Sequence, residues 1–214
     1  MIRYNTVQKL EYAEQTIDKS RFIAYVCPVE TREEAEAFIS EIKIKHKDAT
    51  HNVPAMVIGD KYQIQWASDD GEPQGTSGAP IVQMLVREGL TNLAVVVTRY
   101  FGGIKLGTGG LVRAYTSSVK LALQEAGICA VKDMYVAVVN LEYTYLNKLQ
   151  NLSQAGEFSI NQIIYEDSVQ VILSAEPEKK ENLKQIIANL TSGTGILREE
   201  RMEQIRVPVC DFFK

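Results

Sequence analysis

The chain has 214 residues, 45% of them apolar and 23% charged, with a formal net charge of −4. That length suits one large domain or two of roughly 100 residues each. The acidic balance argues against a general polyanion binder but leaves room for a local basic patch. No apolar run approaches the roughly 20 residues that cross a bilayer, and "MIRYNTVQKLEYAEQ" has no signal-peptide core. The sequence therefore predicts a cytoplasmic protein with no membrane partner. Cys27, Cys129 and Cys210 are far apart and odd in number, so no disulfide framework is expected. No cysteine stands beside either histidine, His46 or His51, and neither a metal nor a cofactor is expected.

In chain order, Ser20–Val29 is apolar and β-branched and reads as a strand. The next segment opens with Thr31 and Glu34 at capping-box spacing, and Ala35, Phe38, Ile39 and Ile42 recur at helical spacing. "AMVIGDKYQIQWA" reads as a hairpin turning at Gly59-Asp60. "SDDGEPQGTSGAP" is a loop that enters a helix capped by Thr76 or Ser77, with Pro80 in its first turn. That helix runs to Gly89. "NLAVVVT" is a buried strand. The helix after it is expected to begin near Gly109–Leu111. Leu111, Ala114, Tyr115, Ser118, Val119 and Ala122 form its apolar face, and Gly127 stops it. From about Val131 the order becomes strand ("MYVAVVNLEYTY"), helix ("LNKLQNLSQAG"), two strands around Asp167-Ser168, a helix opened by Pro177, and a strand. That β-α-β-β-α-β order is ferredoxin-like. The boundary is placed between residues 131 and 132, giving domains 1–131 and 132–214.

Two loops carry chemistry-bearing residues. "TRYFGGIKLGTGGLVRAY" contains Arg99, Gly102, Gly103, Lys105, Gly107, Gly109, Gly110 and Arg113. It fails the P-loop pattern, because Thr108 stands where lysine is required, and the dinucleotide fingerprint, because Val112 replaces the last glycine. It still joins a strand to a helix N-terminus with cations nearby, an arrangement that favours phosphate or carboxylate. The glycines would equally serve a tight turn with no ligand. The second loop offers Asp69, Asp70 and Glu72, with Thr76, Ser77 and the upstream His51. These acids either neutralise the cations of the first loop or hold a magnesium ion against a phosphate. No nucleophile elbow is present, and nothing in the sequence brings His51 to a nucleophile. No catalytic residue is assigned.

Four segments in this order, "KSRFIA" (Lys19–Ala24), His51-Asn52, "SDDGEPQGTSGAPI" and "VVVTRYFGGIKLGTGGLVRAY", resemble the IMPACT family, specifically its bacterial two-domain members. The resemblance covers essentially the whole chain. It implies an α+β fold. The N-terminal domain would be an α/β sandwich like domain 2 of ribosomal protein S5. The C-terminal domain would be ferredoxin-like and similar to domain V of elongation factor G. Eukaryotic relatives regulate translation by competing for the ribosome-associated activator of the amino-acid-starvation kinase. They use an additional N-terminal RWD domain, which is not expected here, so that mechanism is not carried over.

Three functions are weighed, and the resemblance favours the first over the two alternatives. The first is a non-enzymatic translation-linked factor that binds RNA or the ribosome through Arg99, Lys105, Arg113 and the loop backbone. In it Lys19 and Arg21 would be neighbours, Tyr100 or Phe101 could stack on a base, and a translation-associated protein is a further partner. The second is an enzyme or sensor for a small phosphorylated metabolite held between the two loops. The third is a protein-interaction module.

Overall fold

The computed structural model describes residues 2–210 and Phe212. The elements are strands β1 (Ile2–Val7), β2 (Glu11–Ile17) and β3 (Ser20–Pro28), helix α1 (Arg32–Lys45), strands β4 (His51–Ile58) and β5 (Ile64–Ala67), helix α2 (Gly78–Arg87), strand β6 (Leu93–Tyr100), helix α3 (Gly107–Ala126) and strand β7 (Ile128–Leu141). Then come helix α4 (Tyr143–Ser153), strands β8 (Ser159–Tyr165) and β9 (Val169–Ala175), a 3₁₀ turn (Pro177–Lys179) that runs into helix α5 (Lys180–Thr191), and strand β10 (Ile196–Pro208). The chain divides into two compact units. One is Arg3–Val131 with the chain from Arg206; the other is Lys132–Ile205 with Ile2.

The first unit is built on a five-stranded sheet in the order β2-β3-β6-β4-β5, antiparallel throughout. Its inner strands are buried on both faces, which is why they read as unbroken apolar runs. Phe22, Ala24 and Val26 of β3 and Val95 and Val97 of β6 pack with Ile81 and Leu85 of α2 and Leu111, Tyr115 and Val119 of α3. The alternate residues Ile23, Tyr25, Ala94 and Val96 pack on the other face with Ala35, Phe38, Ile39 and Ile42 of α1. Helix α1 begins as its sequence predicts, with the Thr31 hydroxyl accepting from the Glu34 amide. Gly127 closes α3 at a φ of +70°, a conformation that costs glycine nothing.

In the second unit β10 pairs with β7, and the sheet continues from β7 to β9 to β8, with β7-β9 and β9-β8 antiparallel. With α4 and α5 as crossovers this is the ferredoxin-like arrangement. Tyr135, Ala137, Val139 and Leu141 of β7 meet Leu146 and Leu149 of α4 and Leu183 and Ile187 of α5.

Four local expectations are corrected. Strands β1 and β2 form where no element is expected. Helix α3 starts at Gly107, two residues early. The strand expected to run through Tyr145 ends at Leu141, and Glu142 precedes a helix that begins at Tyr143. The last concerns the cap of α2: neither Thr76 nor Ser77 caps it with its side chain. Thr76 Oγ1 donates to the Pro73 carbonyl, 2.7 Å away, and Ser77 Oγ donates to Asp69, 2.7 Å away.

Candidate functional site

Sheet register assembles the first part of the site. Arg99, near the end of β6, pairs across the sheet with Phe22 on one side and His51 on the other. It continues the Val95–Val97 alternation, so its side chain enters beneath α3 and is only 4% exposed. Its guanidinium lies 5.2 Å from the Phe22 ring centroid and 5.3 Å from that of Phe101. Nη1 donates to Glu72 Oε1 at 2.6 Å and Nη2 donates to Ser20 Oγ at 3.2 Å, while Nε has no partner among the described residues. Tyr115 of α3 donates to the same Glu72 oxygen at 2.7 Å. Burial first, and then Glu72, push the Tyr115 phenol far above its ordinary value.

The glycine loop is anchored from below. The Gly102 amide donates to Ser20 Oγ at 3.2 Å, and the Phe101 amide donates to Thr50 Oγ1 at 3.0 Å. A Cβ on Gly102 would overlap the Lys19 carbonyl, so the two chains pass too closely for any side chain there. In this contact Lys19 supplies the backbone and Ser20 the hydroxyl that seat the glycine loop. Arg21 is held by Glu14 through two contacts of 2.7 Å and is not a free cation. Tyr100 turns to His46, its hydroxyl 2.9 Å from Nδ1, whereas Phe101 is 45% exposed.

The three acids of the second loop diverge. Asp69 takes the amides of Gly75 (2.7 Å), Gly78 (2.9 Å) and Ser77 (3.2 Å), and so serves as the anion at the N-terminus of α2. Burial pushes its carboxyl upward, but these amides and the Ser77 hydroxyl outweigh that and hold it below its ordinary value. Asp70 accepts from the Asn52 amide at 2.7 Å and from Lys43 Nζ at 2.9 Å. Glu72 belongs to Arg99. Of the two roles open to these acids, pairing with a cation of the glycine loop accounts for Glu72 alone; Asp70 pairs instead with Lys43 of α1, and each of the three carboxylates faces different donors. His51 places Nδ1 2.8 Å from the Asp70 carbonyl, which can only accept, so Nδ1 carries the proton. Its Nε2 faces Glu72 Oε1 at 3.8 Å.

Above this network lies a cleft of about 430 Å³ lined by both loops: His51, Glu72, Arg99, Phe101, Lys105 and the first turn of α3. Helix α3 has 20 residues, no side chain among the described residues caps it, and its first turn holds no acid. Its leading N–H groups therefore have no intrahelical partner and face the cleft rim. Lys105 is exposed and makes no ion pair among the described residues. Gly103 and Gly107 adopt φ of +87° and +70°, and no atom crowds either. Arg99 lines this cleft as a buried residue, and Arg113 lines the adjoining groove between α2 and α3, beside Arg87 and Lys120. Sequence reasoning missed Ser20, Arg87 and Lys120; the helical spacing of Arg113 and Lys120 was a usable signal for the last.

Two domain descriptions match the chain. The Impact N-terminal domain matches residues 18–123, and a domain of unknown function (DUF1949) matches residues 139–194. The IMPACT family member YvyE of Bacillus subtilis is 39% identical over 206 residues, covering 96% of this chain and 95% of that protein. An IMPACT family member of Haemophilus influenzae is 34% identical over 203 residues, covering 92% and 97%. A crystal structure described as a hypothetical protein matches with a TM-score of 0.58 and 31% identity over 91% of this chain and 95% of that one. Fold and matches together define a two-domain α+β protein. The chain belongs to the IMPACT family, in its bacterial two-domain form.

Proposed function

We propose that this chain is a translation-linked factor that works by binding RNA, alone or in the ribosome, and that the motif cleft receives a backbone phosphate. One observation carries the reading: α3 opens uncapped into a cleft beside the unpaired Lys105. The other two helices of the first unit are satisfied, α1 by Thr31 and its first-turn acids and α2 by Asp69. Only α3 is left to take its anion from outside. Helix N-termini with free N–H groups and a neighbouring cation are suited to phosphate. Phe101 at the rim presents a ring on which a base can stack. The link to translation rests on the family, whose eukaryotic members regulate it. Arg99, Glu72 and Tyr115 do not touch the phosphate in this reading. They hold β6, the acidic loop and α3 at fixed distances so that the amides converge.

The test is anisotropy of a labelled single-stranded RNA decamer, and co-sedimentation with purified ribosomes, across a salt series. Binding should weaken as salt rises, and Lys105→Gln should flatten the salt slope by about 0.7 per lost phosphate contact. No binding by the wild-type chain at 25 mM salt (about 20 Å of Debye screening) contradicts the reading. A second reading, a small phosphorylated metabolite, is favoured by the fact that both loops line one cleft. It is selected if a mononucleotide binds as tightly as the decamer.

A further inference from the structure

Beyond the cleft, α2 and α3 enclose a groove of about 650 Å³. Pro80, Gln83, Met84 and Arg87 on α2, and Arg113, Thr116, Ser117 and Lys120 on α3, line it. Both sets follow the i, i+3, i+4, i+7 spacing of a single helix face. The outward face of α1 carries acids among its cations, the exposed Arg32 pairing with Glu36, whereas these two faces meet across a trough with cations on both banks. Arg113 is exposed and makes no ion pair among the described residues. Arg87 is 76% exposed and only loosely opposed by Glu88 at 3.7 Å, the one acid lining the groove. A trough with three cations and one acid, in a chain of net charge −4, is a local exception to the protein's own charge.

Gly109 connects the groove to the cleft. It lies in the first turn of α3 with no positive φ, and a Cβ there would meet nothing nearer than Arg113 Nη1 at 3.8 Å. Its neighbour Gly110 differs, because a Cβ would press on Leu106 at 3.1 Å. Glycine is a poorer helix former than alanine. Neither backbone nor packing requires it at 109. What a side chain would obstruct is the path along the helix surface from the free N–H groups to Arg113.

We propose that this groove is the second half of the RNA site. A strand whose first phosphate sits at the N-terminus of α3 passes over Gly109, and its following phosphates are taken by Arg113, Arg87 and Lys120. The proposal rests on the RNA reading of the cleft. At 1.5 Å per residue, Gly109 and Lys120 are roughly 16 Å apart along the axis, a run suited to an extended polyanion and too long for one phosphate. Charge selects a polyanion as the occupant, and continuity with the phosphate cleft selects RNA over an acidic peptide.

The experiment compares the wild-type chain, Lys105→Gln, and a groove variant carrying Arg87→Gln, Arg113→Gln and Lys120→Gln, all at exposed positions, with melting curves checking that each folds. The probe is the labelled single-stranded RNA decamer titrated at several salt concentrations. Four phosphate contacts in the wild type give a log–log salt slope of about −2.8, and losing three leaves about −0.7. The groove variant should also bind at least tenfold more weakly at 50 mM salt. Amide shifts of Gly107–Gly110 with inorganic phosphate should persist in it, because the cleft is untouched. A folded groove variant with the wild-type slope, beside a weakened Lys105→Gln, overturns the groove and leaves the cleft standing. Failure of the wild type to bind the decamer overturns the RNA reading itself. Competition by a polyglutamate decamer as effective as unlabelled RNA overturns RNA as the occupant and assigns the groove to a protein partner.

Discussion

Thr108→Asp separates a ligand site from a structural turn, because the two readings give it different signatures. Thr108 is exposed at the second position of α3, whose first turn has no acid and whose N-terminus no side chain caps. A carboxylate there meets the free N–H groups and the positive end of the helix dipole, a stabilisation of about 0.3–1 kcal/mol. For a unit of this size that raises the melting temperature by about 1–4 °C. The same carboxylate occupies the place assigned to phosphate. Two like charges about 4 Å apart repel by about 1 kcal/mol in water and about 4 kcal/mol at a protein surface, so RNA affinity falls by at least about fivefold. Thermal denaturation and RNA anisotropy on the same preparation read both effects. A more stable variant that binds RNA like the wild type refutes the anion site at α3. A destabilised variant refutes the claim that this N-terminus is unsatisfied.

Other perturbations follow from the same geometry. Glu72→Ala strands the buried Arg99 guanidinium and should cost about 3–5 kcal/mol in urea denaturation, whereas Tyr115→Phe, which removes one hydrogen bond, should cost about 1 kcal/mol. Gly102→Ala must separate two backbones and should destabilise by about 1–3 kcal/mol. Gly109→Ala, in open space, should stabilise by up to about 1 kcal/mol while weakening RNA binding. Asp69 titrates below its ordinary value in the folded chain, so its contribution is present above about pH 4 and is lost as pH falls through the folded value. Asp69→Asn should cost about 1–2 kcal/mol at pH 7 and flatten the acid limb of a stability–pH curve.

Much of the fold was legible because local pattern and burial agree. Helix α1 announces itself through Thr31, Glu34 and its apolar spacing. The run "LAVVV" is unbroken because β6 is covered on both faces. Strand β2 was illegible for a physical reason: it is an edge strand of alternating half-buried and exposed residues, Glu11, Glu14 and Gln15 among them, and such polarity is how edges avoid pairing with other chains. At the site, the residues were named from sequence but their roles depend on register. Arg99 closes an apolar strand just before the glycine loop and lies under α3, as the period-2 extension of Val95 and Val97 required. That it meets Glu72, 27 residues away in sequence, is fixed by the packing of the acidic loop against β6 and α3, which no local spacing records. Likewise the groove needs α2 and α3 side by side, and only the fold supplies that.

The central claim, that the amides opening α3 receive a phosphate of RNA, is tested most directly by nitrogen–proton correlation spectra of the labelled chain titrated with the RNA decamer. Glycine amides fall in a distinctive nitrogen region, so Gly107, Gly109 and Gly110 can be followed individually. Their resonances, with that of Thr108, should move first and furthest, and in Thr108→Asp the same titration should need at least about fivefold more RNA. Saturable binding that leaves these four amides unmoved while resonances elsewhere shift would contradict it.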